Sequence, residues 1–228
     1  MRPRYLYRVA SLPALGDPGE PPPLAPRELL SLLDPGPRAL AEIVFLADDL
    51  LRRESHLAGD AARDEPAVLT AAQLRNEAPL PDELAPLPAP GASPVAASDR
   101  AWQAFFVHAA AVAERHRSTT LAAWVRFEVG LRNALAAERA RRLGLDPVGF
   151  LVAPEIGLPA ASFRAAVRAW SEAEDPLAAE RVLDGARRAW LERHDAWFEF
   201  TADELVAYAA RLALAVRWQQ RARPRSVA

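Results

Sequence analysis

The chain has 228 residues, 51% of them hydrophobic, with a net charge of −2 and no cysteine. That length suffices for one or two domains with a substantial core, and the absence of thiols excludes a disulfide framework, thiolate zinc sites and a cysteine nucleophile. Charge is uneven, with 14 acidic and 6 basic residues over 9–97 against 4 acidic and 8 basic over 98–143; this argues against a general nucleic-acid binder and reads first as solvated faces, while permitting docking to charged partners.

Arg2, Arg4 and Arg8 leave too short an apolar stretch for a signal peptide, and Pro13 follows soon after. Tyr5–Leu12 alternates in part and reads as a short strand or as the extended lead-in to a helix. The Pro/Gly run at 16–23 is a loop. Pro26 sits where a first helical residue would, and the pattern through Leu33 is broken at Asp34–Pro37. A second helix is predicted from Pro37 to about Leu57, with Leu40, Ile43, Val44, Ala47, Leu50 and Leu51 inward and Asp48, Asp49, Arg52 and Arg53 opposed to them. After a charged connection at 59–66, Thr70 and Gln73 match a capping box for a short helix ending near Ala78.

Residues 79–98 hold six prolines and read as a linker between an N-terminal helical region, 1–78, and a C-terminal helical bundle, 99–228, the two possibly forming one continuous domain. A central helical pattern then starts at Ser98 or Asp99, with Trp102, Phe105, Phe106, Ala109 and Val112 on one side. In its second half Trp124, Phe127, Leu131 and Leu135 form a single stripe, and Glu128 and Arg132 have ion-pair spacing. Run unbroken from 99 to 143 it would measure about 66 Å at 1.5 Å per residue, whereas a compact domain of this size has a radius of gyration of about 17 Å. An elongated bundle, or a break or kink near 117–120 where Ser118, Thr119 and Thr120 compete for backbone bonds, follows; the break is favoured. Arg139, Arg141, Arg142 and Gly144 end the helix.

Residues 145–161 form a turn-rich crossing. Ser162 is then predicted to cap a helix bearing Phe163, Val167 and Trp170, and Pro176 to open another with Val182, Leu183, Ala186 and Trp190 inside. Trp197–Phe200 leads to a second capping box, Thr201 to Glu204, and a final helix with Leu205, Tyr208, Leu212 and Val216 inward. The fold class is all-α. The longest uncharged apolar run, 101–113, falls short of the roughly 18 residues of a membrane span.

No phosphate loop, zinc-protease helix or nucleophile elbow is present. His56, His108, His116 and His194 are scattered, Arg115–Arg117 reads as a solvated face, and His194 and Asp195 point apart on a helix. Glu128 and Asn133 lie beside the apolar stripe; without a Glu-x-x-His partner they read as residues that fix helix register rather than as metal ligands. Accordingly no catalytic, cofactor-binding or metal residue is assigned, and no cofactor. The six tryptophans read mainly as core, with one or two available to anchor a partner.

Three segments together carry a family resemblance: Tyr5-Leu-Tyr7-Arg-Val9-Ala10-Ser11-Leu12-Pro13; Trp124 and Phe127-Glu128 with Leu131, Asn133-Ala134-Leu135 and Ala137; and Asp203–Tyr208. In them the chain resembles a bacterial family of unassigned helical proteins that look like shortened relatives of the C-type subunit of the V/A-type ATPase, the counterpart of the eukaryotic d-type subunit. The resemblance implies a non-enzymatic, all-α socket between the central-stalk subunits and the membrane rotor ring. Such a part serves ion or proton transport from the cytoplasmic side, peripheral to the inner membrane. A helical adaptor unrelated to any ATPase is the alternative, and a helical hydrolase using Glu128 and His116 a third.

Overall fold

The computed structural model describes residues 5–16, 19–59, 65–85, 94–194 and 197–222. Every regular element among them is helical: α1 (Leu6–Ser11), α2 (Pro26–Leu32), α3 (Pro35–Leu57), α4 (Ala71–Leu74), α5 (Pro94–His116), α6 (Thr119–Arg142), α7 (Arg164–Ser171), α8 (Pro176–Arg193) and α9 (Ala202–Ala222). Short 3-10 turns occupy Pro147–Phe150 and Ala160–Phe163. Two compact units result, Met1–Leu74 with Arg188–Ala228, and Arg75–Arg187. Within the first unit α9 packs on α3 and α2. Of the linker at 79–98, residues 86–93 lie outside the described residues.

In the first unit the core is built from Leu40, Ile43, Val44, Phe45, Leu46 and Leu50 of α3 against Leu205, Val206, Ala209, Leu212 and Val216 of α9. Leu29 and Leu30 of α2 join it, as do Leu69 and Leu74. α2 begins with Pro26, and Glu28 turns back to accept the Ala25 amide at 2.7 Å. The Thr70–Gln73 box forms in full: Gln73 N donates to Thr70 Oγ1 at 3.2 Å, and Thr70 N to Gln73 Oε1 at 2.9 Å. That helix stops at Leu74 rather than near Ala78, and Asn76 turns the chain at a φ of 59°.

Three further expectations fail in this unit. Tyr5–Leu12 is neither strand nor extended lead-in, since Leu6–Ser11 is helical. Leu51, placed inward by periodicity, is exposed. Asp48 and Asp49, placed on the polar face of α3, are buried. Asp49 accepts the amides of Ala67, Val68 and Leu69 at 3.0, 2.7 and 2.9 Å and pairs with Arg52 at 3.0 Å. Burial pushes its carboxyl up, and those four donors offset the rise only in part. Asp48 pairs with Arg217 of α9. Both carboxylates thus serve contacts 18 to 169 residues away, which local periodicity does not report.

In the second unit α5 and α6 are separate helices that pack on each other. α5 starts at Pro94, ahead of Ser98 and Asp99, since the fixed φ of proline suits a first helical position. It ends in a Schellman motif, with Ser118 N donating to Ala113 O at 2.9 Å and Arg117 N to Glu114 O at 3.0 Å. Arg117 takes the left-handed conformation usually left to glycine, with φ 54°. Ser118 Oγ then caps α6 by accepting the Leu121 amide at 3.1 Å.

α6 is buried on several sides: Phe127, Leu131 and Leu135 of the predicted stripe are inside, and so are Val125 and Val129. It packs against α5, both 3-10 turns and α7. The crossing segment approaches α6 closely at Gly130, where Leu158 N donates to Arg126 O at 2.9 Å. A Cβ on Gly130 would stand 2.5 Å from the Phe163 ring and 2.7 Å from Leu158 O. Gly157 faces the same spot, its added Cβ 3.0 Å from Val129 and 3.2 Å from Gly130 N. Ser162 does not cap α7; it lies within the 3-10 turn, and Phe163 precedes the helix with no side-chain cap. Trp170 is flanked by the guanidinium groups of Arg139 and Arg142 at 5.1 and 5.6 Å.

Candidate functional site

The polar residues of α6 are engaged within the second unit. Arg187 of α8 bonds both Glu128 oxygens, at 2.8 and 3.1 Å, and also Asp184 at 3.1 Å. Arg132, at ion-pair spacing from Glu128, bonds Asp99 at 3.3 Å and lies 4.6 Å from the centre of the Trp102 ring. A bidentate fork between half-buried groups is the stronger geometry, so Glu128 joins two helices. Asn133 pairs with Val152 through both backbone groups, Nδ2 to O at 2.8 Å and N to Oδ1 at 2.9 Å, as a neighbouring strand would. The residue after it, Ala153, has φ 44°.

The histidines stand apart from these groups. His116 is exposed at the end of α5 beside exposed Arg115 and Arg117, and His56 and His108 are half-buried. His194 Nδ1 lies 2.8 Å from Trp190 O, with its ring stacked on Trp190 at 4.0 Å. Asp195 lies outside the described residues. Among the described residues, no three His, Asp or Glu side chains come together to hold a metal ion, and no helix is long and apolar enough to cross a membrane.

What stands out in the first unit is the turn Trp197–Thr201. Trp197 is 63% and Phe198 78% exposed, whereas Trp102 and Trp190 are in the core and Trp124, Trp170 and Trp218 are half-buried. Phe198 and Phe200 both have positive φ, 63° and 52°. Aromatic residues adopt that region at a cost of about 1–3 kcal/mol each and keep it only where the surroundings enforce it. Glu204 enforces it. Its carboxylate accepts the Phe198 amide at 3.1 Å and the Phe200 amide at 2.7 Å, from the first turn of α9, where the helix dipole favours an anion.

The predicted box is therefore altered. Glu204 reaches past Thr201 to the turn, and Thr201 Oγ1 is buried without a hydrogen-bond partner. Arg211 lies 4.7 Å from the centre of the Trp197 ring, its pKa lowered by burial against an opposing pull from Glu192.

The N-terminal segment braces the same turn. Tyr5 N donates to Phe200 O at 3.1 Å, and Tyr208 Oη of α9 donates to Pro13 O at 2.9 Å. Burial pushes the Tyr208 phenol up to about 12. Tyr7 of α1 is 88% exposed. An exposed aromatic pair on a turn with a fixed backbone is suited to docking, since little ordering remains to be done on contact. The sequence signal is the cluster Trp197–Phe200 directly before an N-terminal acid; its exposure is not legible there.

By class the described residues are all-helical, with an exposed aromatic pair, Trp197 and Phe198, on the turn before α9. No protein-family model, curated protein or solved structure matches the chain.

Proposed function

We propose that the chain is a non-catalytic component of a V/A-type rotary ATPase, similar to its C-type subunit, that links the central stalk to the membrane rotor ring. One observation carries the reading. The first and third of the resembling segments, Tyr5–Pro13 and Asp203–Tyr208, meet through Tyr208 and Pro13 and together frame the turn that presents Trp197 and Phe198. Residues shared with the family would thus maintain a docking element. The second segment, Trp124–Ala137, supports the reading differently, because its Glu128 and Asn133 set contacts of the second unit.

Its partners on this reading are the stalk subunits and the ring, and its place is the cytoplasmic face of the inner membrane. Deleting the gene in the native organism should leave nucleotide hydrolysis by isolated membranes in place while ATP-driven ion uptake falls. Unchanged coupling would count against the proposal. A free helical adaptor accounts equally for the exposed turn, and gene neighbourhood separates the two, since a stalk component belongs among ATPase genes.

A further inference from the structure

The segment at 5–13 is ordered without being packed. No residue of α1 is buried, and Tyr7 is 88% exposed. The backbone bonds of so short a helix do not hold it, since isolated helices under about 12–15 residues are marginal in water. Its start carries no cap: Tyr5 makes no side-chain bond to the first turn, and no acid lies in that turn. The ion pair of Arg8 with Asp34 spans 3.9 Å between half-exposed side chains, a geometry that adds little.

A bond at either end ties the segment down, and the two reach α9 and the turn that precedes it. Tyr5 N donates to Phe200 O at 3.1 Å, and Tyr208 Oη donates to Pro13 O at 2.9 Å. Phe200 is thereby gripped from both sides, its amide by Glu204 at 2.7 Å and its carbonyl by Tyr5. It holds φ 52°, a conformation that relaxes unless the surroundings enforce it. Release of the segment removes one of the bonds that enforce it. Where little apolar surface is buried, such opening is local and precedes global unfolding.

Resting on the proposed reading of this turn as a docking element, we propose that residues 5–13 are a latch: the segment opens and closes on α9 as one unit, and its closed state sets the turn for docking. Regulation follows from linkage. A partner that takes the ordered turn closes the latch, and whatever holds the latch open weakens that partner.

Amide hydrogen exchange of the full chain, followed by NMR and corrected for intrinsic rates, tests both halves. Val9 and Leu12, whose amides donate to Tyr5 O and Val9 O, should exchange more than about a hundredfold faster than Leu212 in the core of α9. Y208F removes the donor to Pro13 and should raise exchange at Val9 and Leu12 about fivefold. V9P, a change within α1, deletes the Val9–Tyr5 bond. It should leave Leu12 almost unprotected and raise exchange at Phe198 and Phe200 about fivefold, while unchanged exchange at Leu212 shows that the core is folded. V9A keeps the amide and should leave Phe198 and Phe200 within about twofold of wild type.

If Val9 and Leu12 exchanged as slowly as Leu212 in wild type, the segment would open only with the whole unit and the latch would be overturned. Wild-type exchange at Phe198 and Phe200 in V9P, or equal acceleration in V9A, would overturn its hold on the turn. These results come from the chain alone and leave the rotary-ATPase reading standing; that reading falls instead to unchanged coupling after gene deletion.

Discussion

Replacing Gly130 by alanine sets two effects of opposite sign against each other. Helix propensity alone favours alanine over glycine in a helix interior by about 1 kcal/mol. Against this, the new Cβ would sit 2.5 Å from Phe163 Cε2, 2.7 Å from Leu158 O and 3.0 Å from Leu158 N. Two of these are backbone atoms, so rotamer changes cannot relieve the clash. The crossing segment must lift off α6, which weakens the Leu158–Arg126 hydrogen bond and loosens Phe163, a residue only 3% exposed. Overpacking costs about 1–3 kcal/mol and a lost hydrogen bond about 1 kcal/mol. The clash wins, for a net destabilisation of about 2 kcal/mol, or a fall in Tm of about 4–8 °C for a chain of this size. Urea denaturation of G130A beside G149A makes the measurement, since a Cβ at Gly149 meets nothing within 4 Å and should change stability by less than about 0.5 kcal/mol. A G130A protein more stable than wild type by about 1 kcal/mol would refute the close approach and the packing built on it.

Further outcomes follow from the same contacts. E204Q should destabilise the chain by about 1–2 kcal/mol, because one part-buried amide of the aromatic turn then faces an amide donor instead of an oxygen; an unchanged melting curve would contradict the bracing role. N133A should cost about 2–3 kcal/mol in denaturant titrations by stranding both backbone groups of Val152, which is only 2% exposed. In an ultraviolet titration one tyrosine should ionise with a midpoint of about 12 and be missing from Y208F. Since the fold favours the neutral phenol, its contribution to stability is complete below pH 10 and is lost as pH rises from about 10 to about 12; a flat stability profile there, the same in wild type and Y208F, would contradict the assignment.

Several helix ends are readable from signals within a few residues, although Ser162 does not cap α7 and α5 starts ahead of Ser98 and Asp99. Pro26 and Pro176 open helices, Ser118 caps α6, Gly144 closes it, and Thr70 and Gln73 cap one another. Contacts between distant segments are not. Asp48 and Asp49 follow the polar period of α3, yet bonds to Arg217 and to the amides at 67–69 draw them inside. Glu128 has an arginine four residues away but is held by Arg187, 59 residues on. The aromatic turn shows the same limit. Glu204 is legible as a helix-start acid, while its hold on Phe198 and Phe200 depends on two left-handed residues that composition does not announce.

We propose that this protein is a mechanical part of a rotary assembly. Affinity purification of the tagged chain from native membranes at its normal expression level, with quantitative mass spectrometry, tests that directly. The expected result is V/A-type ATPase stalk and ring subunits recovered in near-constant ratio to the bait, with recovery reduced for W197A/F198A. Bait recovered free of those subunits, from membranes in which the ATPase is intact, would contradict it.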